Sequence, residues 1–401
     1  GVTTNYVTGI EVVLADGTVV RLGGRAMDIP EYDFVGLMTG NEGTLGIITE
    51  ASARLLRNAP AIMTALAAFD SVEAAGRAVS AVIKRGLVPA TMEMMDRKIM
   101  GILEDYAHAG LPVHAGAALI IEADGYEGSV GPQMDEIAAI LRQHDAREIR
   151  IAQTAEERDK IWYGRKSAAG AMARLAPAYY LVDGTVPRSV LAATLAEINA
   201  VVEAAELQVG YVFHAGDGNL HPFILIPDPS DPALMARVLQ VGHDIMRICV
   251  GKGGSITGEH GVGSEKRHYM PLMYSFDELD VMRHIKEVFD PALLLNPGKI
   301  FPKEWPEPRA PQPPSVPPSP TCAPQTAQEA GEAVQAAVAA GRRIGIVGGG
   351  TKSGDGGEAD VVLSTARLRG IRSCSVDDLV VTAGAGTRLA DLQAELAREG
   401  M

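Results

Sequence analysis

The stretch Phe213-His214-Ala215-Gly216-Asp217-Gly218-Asn219-Leu220-His221 sets the terms for everything around it. Asp217-Gly218 lies between two apolar runs, QVGYVF and PFILI, and Asp-Gly accepts the positive φ values that a tight hairpin needs. With those two residues as the turn, 216 faces 219, 215 faces 220 and 214 faces 221. His214 and His221 are then directly opposed on one face, with Cβ atoms ~4.5–5.5 Å apart. One divalent ion could bridge both imidazoles at ~2.0–2.1 Å.

Some forty residues on comes Gly253-Gly254-Ser255-Ile256-Thr257-Gly258-Glu259-His260-Gly261-Val262-Gly263. Its glycines let the backbone approach a ligand closely. Glu259 and His260 are neighbours, so in an extended segment they point opposite ways, one free to bind metal and the other to face substrate. A lone histidine is most often a satisfied structural group. Two that align across a turn, with a third flanked by a carboxylate and glycine, make a cluster of the kind that marks a site. Asp217 and Asn219 are expected as turn residues, the alternative being partners that stand behind the ligands.

Around this centre, strands and helices alternate. Strand-like AIMTALAAF leads to a helix near 71–85. A helix near 98–107, a strand at 118–124, a helix at 127–142, a strand at 147–153 and a long helix from Thr154 to about Arg174 follow. That spacing indicates an α+β domain. Before it, 10–15 and 18–22 are short β-branched runs joined by Asp16-Gly17, followed by the loop Gly40-Asn41-Glu42-Gly43-Thr44-Leu45-Gly46 and a strand from Ile47 to Leu56.

The text changes at Lys303–Gln325, where EWPEPRAPQPPSVPPSPTCAP favours extended polyproline II over a packed core. At ~3.1 Å per residue it could span on the order of 70 Å. A new unit then opens with a helix at 326–341, the strand RIGIV and the loop Gly348-Gly349-Gly350-Thr351-Lys352-Ser353-Gly354. The opening residue Gly1 and the unpartnered helix pattern from Leu389 to Met401 suggest a piece of a longer product.

Across 401 residues the formal net charge is −14, which argues against a nucleic-acid surface. Cys249, Cys322 and Cys374 are far apart and form no CxxC, so neither a zinc ribbon nor an iron–sulfur cluster is indicated, and a reducing cytoplasmic setting is expected. No apolar run approaches the roughly 18 residues of a membrane span.

HAGDGNLHP (214–222), GGSITGEHGVG (253–263) and FDPALLLNPGKIF (289–301) resemble the C-terminal domain of the FAD-linked oxidases, which include D-lactate dehydrogenases, D-2-hydroxyglutarate dehydrogenase and glycolate oxidase D subunits. GNEGTLGIITE (40–50) resembles the end of the preceding FAD-binding domain, of the p-cresol methylhydroxylase type. RRIGIVGGGTKSG and LRGIRSCSVDDLVVTAGAGTRLADLQAEL resemble the start of another such domain, as in glycolate oxidase E subunits.

The resemblance implies four parts. Residues 1–58 would be the C-terminal part of an FAD-binding domain, and 59–302 a ferredoxin-like α+β cap holding the substrate and metal. Residues 303–325 would be a linker and 326–401 the N-terminal part of a second FAD-binding domain. It implies FAD-dependent oxidation of a small 2-hydroxy acid, with an E-like portion, an iron–sulfur subunit and, through such partners, the inner face of the cell membrane as the setting.

By position, His260 matches the base, and His214, His221 and Glu259 match the ligands of a divalent metal, zinc being expected. An imidazole suits proton removal near neutral pH. Arg165, in Trp162-Tyr163-Gly164-Arg165-Lys166, matches the arginine that grips the substrate carboxylate. Phe223 stands where the hydroxyglutarate enzymes carry an Asn, which favours glycolate or lactate over a dicarboxylate. For FAD, the backbone amides of Glu42, Gly43, Gly46, Ile47 and Ile48 match the loop that meets the cofactor, and Asn296 a flavin contact. Gly348, Gly349, Gly350, Thr351, Lys352 and Ser353 match a pyrophosphate loop, where N–H groups converge on an anion. That loop is expected to serve the second domain rather than complete the first. A non-catalytic scaffold subunit is the alternative reading.

Overall fold

The structure, a computed structural model, describes residues 3–26, 31–172, 176–303, 321–348, 359–375 and 380–399. Most of the expected Pro-rich linker and the loop residues Gly349–Ser353 therefore lie outside the described residues. The chain divides into two compact units, residues 59–260 and residues 1–58 with 261–401.

The unit of residues 59–260 is built on a seven-stranded sheet. Its order is Glu148–Ile151, Ala61–Phe69, Ala117–Gly125, Thr91–Asp96, Val209–Phe213, Pro222–Ile226 and Ala178–Leu181. In the first four strands the fourth in sequence lies beside the first, then the third and the second, all antiparallel. With the helices Val72–Lys84 and Glu127–Gln143 as crossovers, this is the expected ferredoxin-like arrangement. Local chemistry supports the first crossover, where Ser71 caps the helix by accepting from the Ala74 amide, and the strands at 61–69 and 117–125 are mostly small or apolar. The strands at 209–213, 222–226 and 178–181 widen the sheet beyond the ferredoxin-like part.

The 209–226 hairpin has a different register from the expected one. Tyr211 pairs with Pro222 and His214 with Asn219, so the loop has four residues, Ala215–Gly218. Asp217 N donates to His214 O at 3.1 Å and Gly218 N to Ala215 O at 3.2 Å, successive turns closed by Gly218 at φ 71°. Four-residue loops around a type I turn are a common alternative to the two-residue turn that Asp-Gly suggests. The shift makes His214 and His221 diagonal rather than opposite, and diagonal neighbours remain on one face.

In the other unit, a five-stranded antiparallel sheet runs Ile371–Ser375, Val380–Gly384, Ile47–Arg54, Val7–Val13 and Val19–Gly23. The turn at Asp16-Gly17 is also longer than expected, here by one residue: Leu14 N donates to Thr18 O, and Gly17 takes φ 82° at the end of a three-residue loop. A three-stranded parallel sheet runs Thr321–Cys322, Val361–Ser364, Ile344–Val347.

Here the structure departs from the expected division. Residues 326–401 do not stand apart from 1–58. Val380–Gly384 forms a ladder with Ile47–Arg54, and Val13, Ile47 and Leu295 share one core with Val334, Ile344 and Leu363. Residues 261–302, expected to belong to the cap, join this unit for the same reason: Leu295 is fully buried in its core. Among the described residues no helix is long and apolar enough to cross a membrane.

Candidate functional site

His214 follows the strand Val209–Phe213, and His221 sits between the short strand Asn219–Leu220 and Pro222–Ile226. Their rings are 5.5 Å apart at 83°. Glu259 reaches both: its Oε1 is 3.1 Å from His221 Nε2 and 3.6 Å from His214 Nε2. The His260 ring stacks on His221 at 5.4 Å and 21°, with Nε2 3.7 Å from the same Glu259 oxygen. Glu259 and His260 thus converge instead of pointing opposite ways.

The reason is a bend in the backbone. The amides of Gly258, Glu259 and His260 all donate to the Asp183 carboxylate, at 3.1, 3.3 and 3.0 Å, and the Thr257 hydroxyl joins them at 2.8 Å. Chain wrapped around an anion turns its amides inward and its side chains outward.

A donor set of two imidazole nitrogens and one carboxylate oxygen within 4.8 Å of one another suits a divalent ion. The 3.1 and 3.6 Å separations bracket the ~3.3 Å edge of a tetrahedron with zinc bonds of ~2.05 Å. The residues present therefore fit the expected metal.

Glu93 was missed in the sequence. It lies on the strand Thr91–Asp96, buried, and its Oε1 is 2.7 Å from His214 Nδ1. That bond holds the Nδ1 proton and leaves Nε2 for a ligand, as second partners of metal-bound histidines commonly do. Arg165, on the helix Ala155–Lys166, does not stand free. Its Nε and Nη2 donate to Glu93 Oε2 at 3.1 and 2.7 Å. The signal available was a carboxylate between methionines in the apolar run TMEMMD, a place where a core strand tolerates charge only when it is partnered.

Electrostatics follow from these contacts. The Glu93 hydrogen bond raises the His214 pKa above its ordinary value against the opposing effect of burial. Burial lowers that of His221, with Asp183 and Glu259 pulling the other way. Burial pushes Glu93 up, but the His214 bond and the Arg165 charge more than offset it, and its carboxyl lies below the usual range. Asn219, for which a turn role and a place behind the ligands were both open, is buried with Nδ2 3.3 Å from His221 Nε2. Gly258 leaves it room: a Cβ there would come within 2.3 Å of Asn219 Oδ1. Phe223 points into the core, its ring edge-on to Tyr179 at 5.3 Å.

The expected flavin-side residues lie in the other unit. Glu42 (φ 53°) accepts from the amides of Val262 and Gly263, both at 2.7 Å. Asn296 donates through Nδ2 to Glu42 O and accepts from Ile346 N at 3.0 Å, so its amide ties three segments of the protein together. A Cβ on Gly43 would meet that amide at 2.6 Å, and one on Gly46 would meet Val12 at 2.6 Å. Ile47 and Ile48 pair with Val13 and Val12. Gly348 follows the parallel strand Ile344–Val347, exposed, with open space where a Cβ would lie. Gly348 thus stands at the carboxyl end of a parallel strand, the end at which open α/β sheets receive ligands.

The sequence pattern of the FAD linked oxidases, C-terminal domain, matches residues 59–300, and that of an FAD binding domain matches residues 318–401. The chain belongs to the FAD-linked oxidase family. It is 43% identical over 302 residues to the glycolate oxidase subunit GlcD of Escherichia coli K12, covering 75% of this chain and 60% of that protein. The Bacillus subtilis subunit of the same name is 42% identical over 305 residues, 76% of this chain and 65% of that one. The mitochondrial cytochrome-type D-lactate dehydrogenase of Arabidopsis thaliana is 30% identical over 305 residues, 75% of this chain and 53% of that one. The chain therefore spans 60–65% of the length of the two glycolate oxidase subunits. Among solved structures, p-cresol methylhydroxylase matches with a TM-score of 0.56 at 13% identity, over 71% of this chain and 63% of that one. The 4-ethylphenol oxidase of Gulosibacter chungangensis matches at 0.53 and 17%, over 74% and 66%. At these identities they speak for the fold, an FAD oxidase of the p-cresol methylhydroxylase type.

Proposed function

We propose that this chain carries the substrate-handling part of an FAD-dependent oxidase that converts a small 2-hydroxy acid, glycolate or D-lactate, to the 2-oxo acid. The observation that carries the reading is the convergence of His214 Nε2, His221 Nε2 and Glu259 Oε1, with His214 held from behind by Glu93. These three side chains would hold a divalent ion, zinc being the natural choice for two imidazoles and a carboxylate. When bound, the ion supplies Lewis acidity toward the substrate hydroxyl, and FAD supplies the acceptor for the hydride.

His260 sits beside this donor set with its side chain 41% exposed, in position to take the hydroxyl proton. Arg165 grips the substrate carboxylate. Two of the five guanidinium N–H groups go to Glu93, which fixes its plane. Phe223, standing where the resemblance places an Asn for a second carboxylate, is apolar, in favour of a short substrate. Glu42, Gly43, Gly46, Ile47, Ile48 and Asn296 would meet the cofactor of the first flavin domain, and Gly348, Gly349, Gly350, Thr351, Lys352 and Ser353 would serve the pyrophosphate of the second. The likeness of residues 318–401 to an FAD binding domain supports a fusion with an E-like portion of a glycolate oxidase. An iron–sulfur partner then takes the electrons, at the cytoplasmic face of the membrane.

The test uses the full chain supplied with FAD and Zn²⁺ and mixed anaerobically with glycolate or D-lactate. Loss of the oxidised-flavin absorbance is expected, slowed about 10²–10⁴-fold in His260→Ala, the usual worth of a general base. A flavin-loaded protein that keeps its absorbance with every short 2-hydroxy acid would overturn the proposal.

A further inference from the structure

Asp183 is fully buried, two residues beyond the strand Ala178–Leu181, and nothing around it in the sequence marks it except another Asp-Gly. Two sets of metal-type donors meet at His221. One is His214, His221 and Glu259, and the other is Asp183, His221 and His260. The two exclude each other chemically, because the second would occupy His260 and deny it a role in proton transfer.

The hydrogen bonds decide between them. Asp183 Oδ2 accepts from the Thr257 hydroxyl and the His260 amide, and Oδ1 from the amides of Gly258 and Glu259. A carboxylate has about four lone-pair sites, so four donors fill it and leave none for a cation. The segment is pinned just upstream as well. Thr185 and Ser255 exchange backbone bonds of 2.9 and 3.1 Å, and a Cβ on Gly254 would lie 1.8 Å from Thr185 O.

We infer that Asp183 is a positioning residue rather than an ion ligand: it binds the main chain of residues 257–260 and thereby aims Glu259 at His214 and His221 while keeping the His260 ring stacked on His221. The part concerning the ion rests on the metal site proposed above; the part concerning the backbone does not.

The experiment compares wild type, Asp183→Asn and Thr257→Ala as full chains, by amide hydrogen exchange in metal-free protein, Zn²⁺ titration calorimetry and thermal melting. In Asp183→Asn, exchange at Gly258, Glu259 and His260 is expected to quicken at least about tenfold, since hydrogen bonds to a charged acceptor are lost. Zn²⁺ affinity is expected to fall about 10–100-fold, at a melting temperature that a fold-wide role would not leave in place. Thr257→Ala, which removes one donor, moves both readouts the same way by less, and carries the test if Asp183→Asn does not fold. Unchanged exchange with unchanged affinity overturns the inference. So does loss of Zn²⁺ binding with unchanged exchange, which would make Asp183 a ligand. If wild type takes up no Zn²⁺, the metal site is wrong and the exchange result alone judges Asp183.

Discussion

Glu93 Oε1 and His214 Nδ1 are 2.7 Å apart, and the other oxygen of the same carboxylate holds Arg165. One buried side chain therefore orients both a candidate metal ligand and the candidate substrate-binding cation. Glu93→Gln keeps an acceptor but removes the charge. It is expected to weaken Zn²⁺ binding about 10–100-fold, measured by calorimetry. Glu93→Ala should cost more, because Arg165 is left buried with no counter-charge. Equal affinities for wild type and both variants would remove Glu93 from the site.

The same bond sets a pH dependence. Glu93 raises the His214 pKa, so the proton that a metal must displace is held more tightly. The sign follows. His214 protonation stabilises the metal-free protein below the unfolded value of ~6.5, and that contribution fades as pH rises through the raised folded value. Metal affinity therefore falls as the solution is acidified. In Glu93→Gln the midpoint of that fall should move to lower pH, read from Zn²⁺ titrations across pH 5–8.

Asp96 caps the helix Arg97–Ala107 by accepting from the Ile99 amide at 2.8 Å and takes the Tyr211 amide at 3.0 Å. Burial outweighs these bonds and pushes its carboxyl up from 3.8 to about 6. The folded state then binds a proton that the unfolded chain has already released. Stability should decline by about 3 kcal/mol as pH rises from about 4 to 6. Denaturant unfolding at pH 4 and pH 7 checks this; Asp96→Asn should lose the difference.

Lys286 and Asp290 form a buried pair at 2.8 Å, and Lys286 also donates to Thr44 O and Leu295 O. Asp290 accepts from the Leu294 and Leu295 amides. Lys286→Met strands a buried carboxylate and should cost about 3–5 kcal/mol. Lys286→Met combined with Asp290→Asn should be milder than Lys286→Met alone. A double-mutant cycle in guanidinium reads both, and simple additivity would refute the coupling.

What could be read without a structure was local. Ser71 and Thr154 announce their helices, and Asp-Gly announces both hairpins. The cluster His214, His221, Glu259 was readable because turn and glycine chemistry brings it together over short distances. Register was not, since Asp-Gly serves a two-residue turn or the end of a longer loop equally well, and only packing chooses. Glu93 and Asp183 escaped because their partners are contributed by other elements: His214 is 121 residues from Glu93, and His260 is 77 from Asp183. The placement of Val380–Gly384 beside Ile47–Arg54 is less local still, with the Ser52 and Thr382 hydroxyls meeting across 330 residues of sequence.

That last ladder makes the polypeptide a buckled belt. Strand Ile47–Arg54 is the clasp, and Arg372 bonded to Glu50 at 2.9 Å is one of its prongs. Hydrolysis of a peptide bond between Lys303 and Thr321 would leave the ladder hydrogen bonds of that clasp in place. The two products should run as separate bands under denaturing conditions and as one particle in native gel filtration.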